Sequence, residues 1–290
     1  MKQFFSWRSW TVSSALLLLI PLTGIFYTKY YLPALLAENS GVVSLPENHL
    51  LWINDSGNEP ILYLTDSAGL LLREIKLPIQ NRDWEELSRD ECGNIYIGDF
   101  GNNNNQRKDL RIYKLDKNFE ITDSILFTFP ALLPFSSDNN KMSFDVEAMF
   151  WNKGKLHLFT KNKMHGNGLT THYSLDDSSG NQEALFIENL FLDDYLITGA
   201  CIKNNSSDVY LITYYYHFWL GFIPESDSRI FHYRLDNDKM IATPRNHMTV
   251  PSWIAAAQYE AITCIDYHTA IISAEGRKFR RPFFRKIKLK

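Results

Sequence analysis

Glu85-Glu86-Leu87-Ser88-Arg89-Asp90, followed by Ile95-Tyr96-Ile97-Gly98-Asp99, Leu110-Arg111-Ile112-Tyr113-Lys114-Leu115 and Ser124-Ile125-Leu126-Phe127-Thr128-Phe129, is the stretch on which the fold turns. Its four strand-length runs are rich in β-branched and aromatic residues and are separated by turn residues such as Cys92-Gly93-Asn94, the pattern of strands joined by tight turns. The opening phrase is an acid or small polar residue, then a small or acidic one, then an apolar run. It recurs as Ser40-Gly41-Val42-Val43, Glu147-Ala148-Met149-Phe150, Thr198-Gly199-Ala200-Cys201 and Glu260-Ala261-Ile262-Thr263. With Glu85 included, the intervals are 45, 62, 51 and 62 residues. Such spacing marks a repeated supersecondary unit and not a single catalytic motif.

The other copies carry matching second strands at Leu50-Leu51-Trp52-Ile53, Leu156-His157-Leu158-Phe159, Val209-Tyr210-Leu211-Ile212 and Ala270-Ile271-Ile272-Ser273. Third strands follow at Ile61 to Leu64, Thr171 to Leu175, Ile230 to Leu235 and Phe284 to Leu289. Four antiparallel strands per repeat make a propeller blade, so the chain reads as an all-β, five-bladed β-propeller over residues 29–290. The last repeat stops after its third strand, and Lys29 to Leu36 is a strand-like piece that would complete it and cover the open edge. Pro33 is tolerable in such an edge strand. Six blades are the alternative if a long repeat hides a degenerate unit, and an irregular sandwich is the other all-β arrangement.

Residues 1–28 read separately. Trp10 to Tyr27 is apolar around Leu16-Leu17-Leu18-Leu19-Ile20, follows Lys2 and Arg8, and meets no charge until Lys29. Eighteen residues span about 27 Å as a helix, near the hydrocarbon thickness and longer than a typical signal-peptide core. The basic flank keeps the N-terminus cytoplasmic. The expectation is therefore an inner-membrane anchor with the propeller in the periplasm, and the alternative is a cleaved signal with secretion. Cys92, Cys201 and Cys264 have no zinc-like spacing and read as small hydrophobes, two of them in inner strands. The net charge of -3 conceals eight basic residues after Glu275 against an excess of acids elsewhere. Alternation in Arg285-Lys286-Ile287-Lys288 fits a strand with one wet face, contact with anionic headgroups is the functional alternative, and no nucleic-acid partner is expected.

The repeat phrases resemble a family of exported bacterial propellers of mostly uncharacterised function. The resemblance is carried by Glu38-Asn39-Ser40-Gly41, Asn54-Asp55-Ser56-Gly57, Asp83-Trp84-Glu85, Ile97-Gly98-Asp99-Phe100-Gly101-Asn102-Asn103, Asp145-Val146-Glu147-Ala148-Met149, Thr198-Gly199-Ala200, Glu260-Ala261-Ile262 and Ser273-Ala274-Glu275. More distantly the repeats are similar to calcium-dependent propellers of the gluconolactonase and regucalcin, paraoxonase-like and esterase-like phytase groups. That similarity implies a cation held by acids and amides of the inner strands, and no catalytic residue is transferred from it.

If the phrases are in register, Ser40, Glu85, Glu147, Thr198 and Glu260 form a layer at the axis, with Asp83 and Asp145 two residues earlier on the same face. Glu85, Glu147, Glu260, Asp83 and Asp145 are the candidate metal ligands, and oxygen-only donors suit Ca²⁺. Asp55, Asp99, Thr160, Thr213 and Glu275 would end the second strands, with Lys161 beside them. Three converging glutamates repel unless water, a cation or Lys161 compensates. Asp55, Asp99, Asn102, Lys161, Glu275, Tyr215 and Trp219 are the candidate ligand-binding residues. The last two belong to Tyr214 to Trp219, read as an aromatic loop near the channel mouth; Asn102 to Arg107 and Asn162 to Gly168 read as further loops there. Three functions remain open: an envelope module that binds a small molecule or partner protein, a divalent-metal-dependent hydrolase of lactones, esters or phosphoesters, and a structural scaffold whose acids join blade to blade. Gly-x-Ser-x-Gly, phosphate-loop and nicotinamide motifs are absent from the sequence.

Overall fold

A computed structural model of the chain describes residues 28–130, 144–161, 169–219, 223–250, 257–277 and 280–289. The anchor reading of Trp10 to Tyr27, most of the connection from Pro130 to Asn140 and the loop Asn162 to Gly168 lie outside these residues. Among the described residues no helix is long and apolar enough to cross a membrane.

After β1 (Lys29–Tyr31), blade one comprises β2 (Asn39–Leu45), β3 (His49–Asn54), β4 (Ile61–Thr65) and β5 (Leu71–Lys76). Blade two is β6 (Trp84–Arg89), β7 (Ile95–Asp99), β8 (Arg111–Leu115) and β9 (Ile121–Thr128). Blade three is β10 (Val146–Asn152), β11 (Lys155–Thr160), β12 (Leu169–Asp176) and, past a short β13 (Gly180–Glu183), β14 (Leu185–Phe191). Blade four is β15 (Leu196–Ile202), β16 (Asp208–Trp219), β17 (Ile223–Asp236) and β18 (Lys239–Val250), and blade five is β19 (Tyr259–Cys264), β20 (Thr269–Ala274) and β21 (Phe283–Lys288). The five sheets make a five-bladed propeller and set aside the six-blade alternative.

Middle strands are continuous apolar runs because each blade is covered on both faces. In β3, Leu51 and Ile53 pack with Trp84, Leu87, Ile95 and Ile97 of blade two, whereas Leu50 and Trp52 pack with Ala261, Ile271 and Phe284 of blade five. Five apolar clusters fill the five interfaces in this way. Each large side chain fully buried there contributes about 1.5–3 kcal/mol. Between blades three and four the packing is partly polar: His157 Nδ1 lies 2.9 Å from His172 Nε2, and the two rings stack on Phe150 and Phe159. His172 also faces Glu188, whose carboxylate accepts the Met240 amide at 2.7 Å.

β1 pairs antiparallel with β21, Tyr30 opposite Phe284, and so forms the outer strand of blade five. The extended segment is shorter than its sequence suggests, because a 3₁₀ turn at Ala34–Leu36 follows Pro33. Across the closure Ser273 Oγ donates to Asn39 Oδ1 at 2.6 Å. Blade two gains a fifth strand, since β13 leaves blade three and pairs parallel with β9. Its short polar sequence, Gly180-Asn181-Gln182-Glu183, carries no apolar alternation to announce it.

Candidate functional site at the channel mouth

Every inner strand carries a register shift at the repeated phrase. The shifts fall at Asn39/Gly41, Trp84/Glu86, Val146/Ala148, Ile197/Gly199 and Tyr259/Ala261, so Ser40, Glu85, Glu147, Thr198 and Glu260 are the bulged residues of the five blades. A bulge bends the strand and re-aims one side chain. All five line a cavity of about 170 Å³ at one end of the channel. Small second residues make this convergence possible: a Cβ on Gly41 would lie 2.7 Å from the Leu87 amide nitrogen, and one on Gly199 3.1 Å from the Glu260 carbonyl.

The bulges also correct the second layer. Trp84 pairs with Asp99 as Asn39 does with Asn54, Val146 with Thr160, Ile197 with Thr213 and Tyr259 with Ala274. The residues one step beyond are Asp55, Phe100, Lys161, Tyr214 and Glu275, and all except Phe100 line the cavity. Asp99, expected beside Asp55, is one position short. It is buried, accepting the Asp83 amide at 3.1 Å and an Arg107 guanidinium N–H at 2.9 Å. Phe100 turns into the core between blades two and three, and Asn103 occupies that side of the cavity.

Asp83 and Asp145 precede their strands; Asp83 keeps its expected place beside Glu85, whereas Asp145 turns to the loop after β7. Asp145 Oδ1 accepts the Asn102 amide at 2.7 Å. Asn102 is likewise buried, and its Oδ1 accepts the Arg107 amide at 2.9 Å. Asp83 instead lies beside Asp55, whose charge adds to burial in raising it. Asp55, Asp83 and Glu85 each bring one oxygen within 4.8 Å of the others. Gly101 backs this group, and a Cβ there would overlap Glu85 Oε1 and the Asp83 carboxyl.

The segment Tyr214 to Trp219 is strand and not loop: β16 continues through it, and Trp219 pairs with Ile223. Tyr214 is buried toward the cavity, whereas Tyr215 and Tyr216 are exposed. Tyr214, expected on an aromatic loop at the mouth, and Gln258, not singled out from the sequence, both line the cavity. Tyr214 becomes legible once the bulge is counted, and Gln258 stands two residues before Glu260 as Asp83 does before Glu85.

Lys161 Nζ donates to Glu147 Oε2 at 2.9 Å, with both side chains nearly buried. Burial alone would depress the Lys161 ammonium, but Glu147, Tyr214 and Glu260 outweigh it and hold its pKa above the ordinary value. One ammonium faces five lining carboxyls. Burial, then Glu147, Asp55 and Asp83, push Glu85 well above the usual carboxylate range against the opposing field of Lys161. Glu260 rises to about 8 through burial and, despite Lys161, the fields of Glu275, Glu147 and Asp55. Burial and Asp55 raise Glu275 to about 7 and Asp83 to about 6.

Two of the five bulged residues join blades. Ser40 Oγ donates to the Trp84 carbonyl and Thr198 Oγ1 to the Tyr259 carbonyl, both at 2.8 Å. Glu86, also unassigned from sequence, reaches across the axis: its carboxyl accepts the Leu87 amide at 2.9 Å and the Ala200 amide of blade four at 3.1 Å. The opposite mouth widens to about 1170 Å³, with Ser88, Asp90, Cys201, Lys203 and Cys264 in its wall. Cys201 and Cys264 are buried free thiols, and Cys92 is exposed.

No protein-family model and no curated protein matches this chain. Solved structures are similar in fold. A streptogramin B lyase superposes with a TM-score of 0.47 at 11% identity, covering 91% of this chain and 98% of its own. Virginiamycin B lyase from Staphylococcus aureus gives 0.44 at 10%, covering 91% and 99%. A candidate gluconolactonase gives 0.45 at 9%, covering 87% and 74%. At these identities the likeness concerns the β-propeller fold alone.

Proposed function

We propose that this propeller binds a small polar ligand through a divalent, oxygen-seeking cation at the channel mouth, with Asp55, Asp83 and Glu85 as its holders. The observation that carries this reading is the convergence of those three carboxyls, each with an oxygen within 4.8 Å of the others. Acids so close together need a shared proton or a cation. Their donors are all oxygen, which suits Ca²⁺ or Mg²⁺. Lys161, Tyr214 and Gln258 supply the polar groups that would orient a ligand on the opposite wall. A volume of about 170 Å³ lies below the roughly 300–1,000 Å³ of drug-sized sites, so the occupant is an ion with a small polar group.

Binding is favoured over hydrolysis because both hydroxyls in the bulged ring, Ser40 and Thr198, are committed to backbone carbonyls. A cation held there would supply Lewis acidity to an ester or phosphoester and would activate a bound water, whereas these two hydroxyls serve the blade contacts. The exposed Tyr215 and Tyr216 on the β16–β17 hairpin are where a partner protein would meet the rim. The sequence before the propeller would present the module from a membrane. Isothermal titration with Ca²⁺ and with Mg²⁺ at pH 8 tests the reading: binding in the roughly 0.1–1 mM range of extracellular calcium modules is expected, and its loss in Asp83→Asn/Glu85→Gln. Absence of heat and of any melting shift up to about 10 mM of either ion would refute it.

A further inference from the structure

At the outer edge of the ring, the seam between blades five and one sets exposed apolar side chains among basic ones. Tyr31 at the end of β1 is 53% exposed, and the turn entering β5 brings Leu70, 66% exposed, beside it. This juxtaposition is built into the backbone. Gly69 holds a left-handed φ of 90°, and a Cβ there would lie 2.9 Å from the Tyr31 carbonyl oxygen. Asp66 Oδ1 fixes the turn by accepting the Ala68 and Leu70 amides, both at 2.9 Å. Leu72, also exposed, continues the apolar edge along β5. Beneath it Tyr30 and Leu71 pack with Phe284.

Basic side chains surround this edge. The Arg281 guanidinium lies 5.3 Å from the Tyr31 ring centroid and Lys286 Nζ 4.9 Å from Tyr30, while Lys29 Nζ, on the blade-four side of the same outer strand, lies 4.5 Å from Phe283. None of the ion pairs found among the described residues involves Lys29, Arg281 or Lys286. The Lys29 ammonium is held below its ordinary value by burial and then by Arg285 and Arg280, a sign of crowded positive charge. The uncharged stretch Trp10 to Tyr27 ends two residues before Lys29, so the chain joins the ring at this sector.

We propose that the outer edge of blade five, together with the adjoining β4–β5 turn of blade one, lies on a membrane surface, with Tyr31, Leu70 and Leu72 in the interfacial layer and Lys29, Arg281 and Lys286 on anionic headgroups. Tyrosines favour the membrane–water interface, and basic residues are drawn to anionic lipid. Apolar insertion together with a basic patch makes a two-signal attachment. A protein partner would need acidic complementarity and would leave unexplained why the apolar stretch enters at the same place. The outer edge of a propeller is perpendicular to its axis, so this orientation keeps both channel mouths open to water.

The full chain, carrying Cys92→Ser, is reconstituted in vesicles of phosphatidylglycerol and phosphatidylcholine and labelled with a fluorophore at Leu70→Cys or, at the start of β9 in blade two, at Thr122→Cys. Nitroxide lipids labelled at the headgroup should quench the probe at position 70 and leave position 122 unquenched. Each basic residue near an anionic surface changes partition about fivefold. Reversing Lys29, Arg281 and Lys286 to Glu, or raising salt, should therefore remove the quenching while the protein stays with the vesicles. Equal quenching at both positions, none at position 70, indifference to charge reversal, or failure of the chain to float with vesicles would each overturn the proposal. Circular dichroism of the triple variant separates lost contact from lost fold.

Discussion

Replacing Lys161 by Met removes the ammonium that faces the channel-mouth carboxyls while keeping most of the side-chain volume. The pair it breaks is short and nearly buried, Nζ to Glu147 Oε2 at 2.9 Å, and Glu260 loses the field that now lowers it. Removing one partner of a buried pair costs about 3–5 kcal/mol, because the other charge stays desolvated. For a chain of this size that corresponds to a fall in Tm of roughly 6–20 °C. Thermal melts followed by circular dichroism at pH 7.5 would measure it. The deficit should narrow toward pH 5, where protonation discharges the carboxyls. Most of it should vanish in Lys161→Met/Glu147→Gln, which removes both charges. Millimolar Ca²⁺ should stabilise the single variant more than the parent, since a cation then substitutes for the lost ammonium. If the single variant melts within about 1 °C of the parent, or the single and double variants melt together, the electrostatic account of the cavity is wrong.

Without added cation, two opposing contributions to the pH dependence of stability overlap between about pH 4.5 and 6.5. Asp83, Glu275 and Glu260, raised to about 6, 7 and 8, keep protons that the unfolded chain releases near pH 4, so the stability they contribute is full below about pH 4 and is lost as pH rises through these values. The alkaline loss should be on the order of 2–4 kcal/mol after discounting coupling and solvent screening, and Ca²⁺ should reverse it. In the opposite sense, His157, lowered by burial and His172 to about 3, and His172, also lowered, resist protons that the unfolded chain accepts, so the contribution of this pair falls as pH drops below about 6.5. Melts from pH 4 to 9 with and without Ca²⁺ would show both contributions. Glu86→Leu should cost about 2–5 kcal/mol by leaving the Leu87 and Ala200 amides without their acceptor, whereas Glu86→Gln, which keeps an acceptor oxygen, should cost less; urea unfolding would rank them.

The blade count was legible in the sequence because a blade covered on both faces needs apolar residues at every position of its middle strands, as in Leu50-Leu51-Trp52-Ile53. The phrase opening each repeat marked the residues at the axis for the same reason: only a small or polar side chain fits where five strands converge. The register beyond that phrase was not legible. One bulged residue shifts the pairing by one and exchanges faces, so Asp99 falls into the blade and Tyr214 into the cavity. Nor could sequence show that Glu86 would meet Ala200, 114 residues away, or that β13 would leave its own blade to cover β9. Strand identity follows from local patterning along the chain. The partners of buried carboxyls, and which of those carboxyls meet, follow only from closing the ring, because closure brings distant strands within hydrogen-bond distance of one axis.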